Sequence, residues 1–183
     1  MTEIDNETIE RFRAYLKLLA SSQLGSFLER RVDASDIVQQ TLLDAVSRED
    51  QFQGQSDAEL AGWLRKILAR NIVDAFRYHK RDKRDAGREK SLDESIYQSF
   101  RRVDALIGPS ATPSQRASVN EQLLRLPNAL DQLPVFQRQA IVLHHLQGLK
   151  LSETGERMGK SEAAVCGLLH RGLKKLHALL ENA

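Results

Sequence analysis

The stretch 60–76 repeats apolar residues at steps of three and four: Leu60, Trp63, Leu64, Ile67, Leu68, Ile72, Ala75 and Phe76. That period matches the turn of an α-helix and lays a continuous apolar stripe along one side of it. A stripe of this length has to be buried against other elements, so it dictates a packed helical body. The chain offers no alternating apolar–polar run long enough for a strand, and no Asn-Gly or Asp-Gly hairpin turn. Only four prolines occur in 183 residues, which leaves long segments free to stay helical. The expected fold class is all-α.

Further helices follow from the same reasoning. Ile9, Phe12, Leu16, Leu19 and Leu24 form one stripe. A second helix starts after Asp33-Ala34-Ser35, where Asp33 or Ser35 can cap it, with Ile37, Val38, Thr41, Leu42, Ala45 and Val46 facing inward. The run QFQGQSD, 51–57, is a loop. Beyond Asp82 the periodicity weakens, charge is mixed and Gly108-Pro109-Ser110 closes the segment, so 86–111 reads as a flexible linker with a short helical piece near 97–106. Thr112-Pro113-Ser114-Gln115 then looks like a helix start, and the helical pattern resumes with breaks at Pro127, Pro134, Gly148 and Gly159. Two small helical domains result, 1–85 and 112–183, joined by the linker.

The formal net charge of +2 says little, because charge acts through its distribution. Within 65–84, Arg65, Lys66, Arg70, Arg77, Lys80, Arg81, Lys83 and Arg84 face only Asp74 and Asp82, a candidate nucleic-acid footprint. Enzyme chemistry finds no support. His144 and His145 are adjacent and diverge by about 100° on a helix, so they cannot clamp one metal. There is no GxxxxGK[ST] phosphate loop and no GxSxG elbow, and the single Cys166 has no partner for a disulfide or CxxC motif. No cofactor is expected. A polar, acidic N-terminus and the absence of any run of about 18 apolar residues imply no membrane segment and a cytoplasmic protein.

The segment around Gly159 has the spacing of a helix-turn-helix. A short helix ends at Met158, Gly159-Lys160 makes the turn, and Ser161 caps the next helix, with Glu162 in its first turn. Gly155 sits where two steeply crossing helices come closest, and Gly159 suits a positive φ. Val165, Leu168, Leu169, Leu173 and Leu176 form the inward stripe of the second helix. Ser161, Glu162, Ala163, Cys166, Gly167, His170 and Arg171 are left outward near its start, where a recognition helix meets base edges. Arg171, Lys174 and Lys175 can hold phosphates.

Taken together, LDQLPVFQRQAIVLHHLQGLKLSETGERMGKSEAAVCGLLHRGLKKL resembles the C-terminal domain (region 4) of bacterial sigma factors of the sigma-70 family. DIVQQTLLDAV and QFQGQSDAELAGWLRKILARNIVDAFR resemble, in the right order, region 2 of the same family. With no other sigma region, the chain is similar to the minimal extracytoplasmic-function (ECF) type.

The resemblance implies a transcription initiation factor rather than an enzyme. Its partners would be core RNA polymerase, through the β′ clamp helices and the β flap, promoter DNA, and in some members an anti-sigma factor. It places polymerase docking on Asp36, Gln39 and Gln40. It places capture of the −10 strand on the loop Phe52, Gly54 and Ser56 and on Arg65, Arg70, Asn71, Asp74, Arg77 and Tyr78. A flipped base needs a pocket free of bulky side chains, which Gly54 and Ser56 would supply; Trp63 falls on the apolar stripe and reads as core. The −35 element would be read by Ser161, Glu162, Ala163, Cys166, Gly167, His170, Arg171 and Lys174. This chain departs from the family in lacking a basic residue at Cys166 and Leu168, in placing Lys150 where a hydroxyl cap is usual, and in having Thr154 where a larger apolar residue is common. The alternative is a stand-alone helix-turn-helix regulator that binds duplex DNA without polymerase, which leaves 36–84 unexplained.

Overall fold

The computed structural model describes residues 6–28, 32–79, 96, 98–100, 102, 103, 106 and 116–181. Its elements are α1 (Asn6–Glu10), α2 (Arg13–Leu28), α3 (Ala34–Val46), a 3-10 turn at Glu49–Gln51, α4 (Asp57–His79), α5 (Arg116–Asp131), α6 (Val135–Ile141), α7 (Leu151–Met158) and α8 (Glu162–Glu181). No strand occurs among the described residues. The protein is all-α, as the periodicity requires. Lys80, Arg81, Lys83, Arg84 and the Thr112–Pro113–Ser114–Gln115 start signal lie outside the described residues.

The N-terminal half is built on α4. Ser56 caps it: the Glu59 amide donates to Ser56 Oγ at 3.3 Å, and the Ser56 hydroxyl donates to the Glu59 carboxylate at 2.9 Å. The first of these bonds satisfies a backbone donor that a helix start leaves unpaired, and the second holds the capping hydroxyl in place. Leu60, Leu64, Ile67, Leu68 and Ile72 are buried along the inner stripe, with Trp63, Ala75 and Phe76 at its margin. Helices α2 and α3 close over that stripe, burying Phe12, Leu16, Leu19, Ile37, Val38 and Leu42. Asp33, rather than Ser35, caps α3, its carboxylate accepting the Ser35 N–H at 2.8 Å. Val46, expected inward, is instead 40% exposed at the last turn of α3.

The connector contributes to the core. Ile96, Ser99, Phe100, Val103 and Leu106 are helical and buried, at the three- and four-residue steps of a single face. Three side chains fasten this part of the chain and the two halves together. Arg65 Nη1 donates to the Phe100 carbonyl at 3.2 Å, His177 Nε2 meets the Leu106 carbonyl at 2.8 Å, and Gln23 Nε2 donates to the Leu146 carbonyl at 2.6 Å. Helix α5 packs on α2 and α4 as well as on α8, so one apolar cluster runs through both halves.

Pro127 does not break α5, contrary to the expectation from sequence. A proline inside a helix forfeits one backbone bond at a cost of about 3 kcal/mol. Here Leu123, Leu126, Ala129 and Leu130 are buried on both sides of it, and their packing outweighs the lost bond. After Pro134, α6 runs into a π-helical turn at Val142–Leu146, which ends where Gly148 takes a φ of 77°.

Two polar groups, one buried and one half-buried, carry measurable consequences. Thr154 is fully buried, and its hydroxyl has no partner among the described residues. Thr154→Val keeps the shape and removes the unsatisfied oxygen, so it is expected to raise stability by about 1 kcal/mol in urea unfolding. In the π-helical turn, His145 is pushed down to about 4 from 6.5, first by burial and then by the charges of His144 and Arg102. Its neutral form is the one the fold accepts, while the unfolded chain takes a proton near 6.5. The associated stability is therefore present above pH 6.5, and is expected to drain away as pH falls from 6.5 towards 4. His145→Gln should flatten that segment of a melting-temperature profile.

Candidate nucleic-acid interface

The turn between α7 and α8 is as tight as its sequence suggests. A Cβ on Gly155 would lie 2.7 Å from the Lys160 carbonyl oxygen and 3.7 Å from the Glu162 nitrogen, so α7 lies directly against the backbone of the turn and of the start of α8. Gly159 adopts φ 63° and ψ 38°, the left-handed conformation that glycine reaches without steric cost. The Lys160 N–H then donates to the Gly155 carbonyl at 2.9 Å. The Ser161 hydroxyl accepts the Ala164 N–H at 3.2 Å and so caps α8. Lys150 lacks a capping hydroxyl, but the Glu153 carboxylate reaches back and accepts the Lys150 N–H at 2.7 Å, which is the other half of a capping box.

From that start α8 divides cleanly. Val165, Leu169, Gly172, Leu176 and Leu180 are buried, and Leu168 and Leu173 are half-buried at the edge. Gly172 was not singled out in the sequence, yet a Cβ there would stand 3.0 Å from Ile141 Cδ1, so its absence sets how closely α6 and α8 approach. Ser161, Glu162, Ala163, Cys166, His170, Arg171 and Lys174 are all exposed. Gly167 is half-buried because the Arg171 guanidinium folds over it, with Nη1 3.3 Å from where a Cβ would be. The whole outward set lies on one side of α8, next to its capped N-terminus.

The N-terminal set is less uniform. Arg70, Asp74, Arg77 and Tyr78 are exposed at steps of four, three and one, and share a face at the end of α4. Asp74 sits between the two arginines, 3.1 Å from Arg77 Nη1 and 3.9 Å from Arg70 Nε, which leaves the cluster net positive. Arg65 turns away from that face; it is half-buried and bonded to the Ala61 and Phe100 carbonyls. Asn71 also turns inward, its amide nitrogen donating to Thr41 Oγ1 at 3.2 Å and to Asp44 Oδ2 at 3.1 Å. Asp44 in turn accepts from Gln40 Nε2 at 2.8 Å, so Gln40, Asp44 and Asn71 brace α3 against α4. In the loop, Phe52 is half-buried against Trp63, and Ser56 is taken up by its cap.

On α3, Asp36, Gln39 and Gln40 are exposed, with Gln39 Oε1 accepting from Arg13 Nη2 at 3.0 Å. Beside them stand two residues that sequence reasoning did not assign to any surface: Leu43, 52% exposed, and Val46. Leu43 falls out of phase with the Ile37–Val38–Leu42–Ala45 stripe, and that phase was the available signal. Val135 and Phe136, at the start of α6, form a second exposed apolar pair, with Lys160 Nζ 4.3 Å above the Phe136 ring.

Two segments of the chain match known family models. Residues 9–82 match the model for sigma-70 region 2, and residues 123–176 match that for sigma-70 region 4. The chain is 30% identical to the ECF RNA polymerase sigma factor EcfG of Rhodopseudomonas palustris, across 80% of this chain and 71% of that protein. It is 29% identical to the RNA polymerase sigma factor CarQ of Myxococcus xanthus, across 94% and 95% of the two chains. It is 25% identical to the ECF RNA polymerase sigma factor SigD of Mycobacterium tuberculosis, across 93% and 74%. An all-helical chain with a region 2 half, a region 4 helix-turn-helix and relatives of this kind belongs to the ECF sigma factors of the sigma-70 family.

Proposed function

We propose that this protein binds core RNA polymerase through the exposed face of α3, captures the −10 strand with the loop after α3 and the end of α4, and reads the −35 element with α8. The observation that carries the proposal is the exposed start of α8. A rigid glycine-built turn presents Ser161, Glu162, Ala163, Cys166, His170 and Arg171 together, with no bulky apolar residue among them. Such a surface can enter a major groove, where N-terminal side chains of a recognition helix meet base edges. Arg171 and Lys174 add phosphate attraction that salt should weaken.

At the other end, Arg70, Arg77 and Tyr78 supply the cations and the flat ring that hold a single strand. Asn71 and Arg65 serve there as struts rather than readers in the free protein. The β′ clamp helices are the proposed partner of α3 and the β flap that of the C-terminal half; an anti-sigma factor would compete for the same faces.

Purified core polymerase, pulled down with the protein and then used for run-off transcription on genomic fragments, tests the proposal as a whole. Discrete new start sites are expected. Arg171→Ala should weaken −35 duplex binding by roughly tenfold, the scale of one charge-assisted contact. Asp36→Ala should leave that duplex binding intact while weakening polymerase association. Duplex binding without polymerase association would point instead to a stand-alone regulator and remove the role given to the N-terminal half.

A further inference from the structure

The space beside Gly54 is filled by the protein's own side chain. The Phe52 ring lies so close over Gly54 that a Cβ there would stand 2.3 Å from Phe52 Cζ and 2.7 Å from Cε2. On another side the ring meets Trp63, centroids 5.3 Å apart and planes inclined at 48°. Phe52 and Trp63 are both half-buried, so the ring touches the core without being enclosed by it. The loop backbone is held independently of the ring. The Glu59 carboxylate accepts the Gln55 N–H at 2.8 Å and the Ser56 hydroxyl at 2.9 Å. The walls are therefore fixed, and the content is one side chain on two rotatable bonds.

We propose that Phe52 is a displaceable occupant of a base-binding slot walled by Gly54 and Trp63. In the free protein the benzene ring holds the slot; a base unstacked from single-stranded DNA takes its place against the Trp63 indole. This rests on the −10 role proposed above and goes beyond it in two ways. Phe52 competes with the strand instead of gripping it, and Trp63, a member of the core stripe, becomes a stacking surface.

The exchange is physically balanced. A nucleobase has a flat apolar face like that of a phenyl ring, so the tilted ring contact with the indole is replaced by base stacking rather than lost. The unstacked base needs a recess, and the fixed loop keeps that recess from closing behind the departing ring. Glycine is required at 54 because a Cβ would collide with the Phe52 ring on one side and with Glu59 Cβ, at 2.8 Å, on the other. Displacing the Phe52–Trp63 contact should weaken strand binding by roughly a factor of two to ten.

The test uses the full chain and the −10 strand mapped by run-off transcription. Affinity is read by anisotropy of a labelled single-stranded oligonucleotide, and slot occupancy by intrinsic emission with the unlabelled strand, since Trp63 is the single tryptophan. The strand is expected to quench Trp63 emission. Phe52→Ala should bind the strand roughly two- to tenfold more tightly. Gly54→Ala should alter Trp63 emission before any strand is added. Phe52→Leu, which keeps an apolar side chain in the loop, guards against a folding defect in the alanine variant and should also bind at least as tightly as the parent. Strand binding with Trp63 emission unchanged would overturn the slot, as would weaker binding by both Phe52 variants; either result leaves the −10 role standing. No strand binding, with no discrete transcripts from the polymerase complex, would overturn both.

Discussion

Gly155→Ala is expected to destabilise the protein by about 1–3 kcal/mol and to remove sequence-specific −35 binding at temperatures where the parent is folded. The added methyl would meet the Lys160 carbonyl at 2.7 Å, and that oxygen belongs to the turn backbone, which cannot swing aside as a side-chain tip can. Alanine normally favours a helix over glycine by about 1 kcal/mol, so a loss would be the signature of the crossing. Gly62→Ala provides the contrast. Gly62 lies inside α4 with nothing within 4 Å of a Cβ, so the same substitution there should stabilise by about 0.5–1 kcal/mol. Urea melts of the two variants, paired with −35 duplex binding, separate the effects. A Gly155→Ala protein as stable as the parent would mean that the α7–α8 crossing relaxes readily.

The second large effect is expected on α3. Leu43→Glu should reduce core polymerase association by at least tenfold while leaving the melting temperature nearly unchanged. Leu43 is half exposed with Val46 one turn further on, and Asp36, Gln39 and Gln40 stand on the same helix, so an apolar centre is bordered by polar groups. Interfaces draw most of their energy from such centres and much less from rim charges. Leu43→Glu is therefore expected to cost more than Asp36→Ala, measured by competition of the variants against the parent for core polymerase. Equal association of parent and Leu43→Glu would move the docking face off α3.

The presence of the helices, the turn at Gly159 and the outward set on α8 were legible because each follows from local periodicity or from one backbone requirement. The roles of Asn71 and Arg65 were not. Whether an amide on α4 reads a base or braces a helix depends on Thr41 and Asp44, which are 30 and 27 residues away in sequence. Arg65 likewise finds its acceptor at Phe100. Pro127 was misjudged because the local rule carries no knowledge of the tertiary packing on either side of it. Gly172 gave no sign either, since only its neighbour Ile141 shows why a side chain would not fit.

The contacts of Gln23 with Leu146 and of Arg65 with Phe100 set a limit on reach. Elements centred 25 base pairs apart, as the labels −10 and −35 state, lie about 85 Å apart along B-form DNA at 3.4 Å per step. A compact chain of 183 residues measures only roughly 40 Å across. While α5 bridges α2, α4 and α8, the chain therefore spans less than that separation. If one molecule reads both elements, as proposed above, these contacts must part, and the free energy of parting them becomes a threshold that the proposed partners together must exceed.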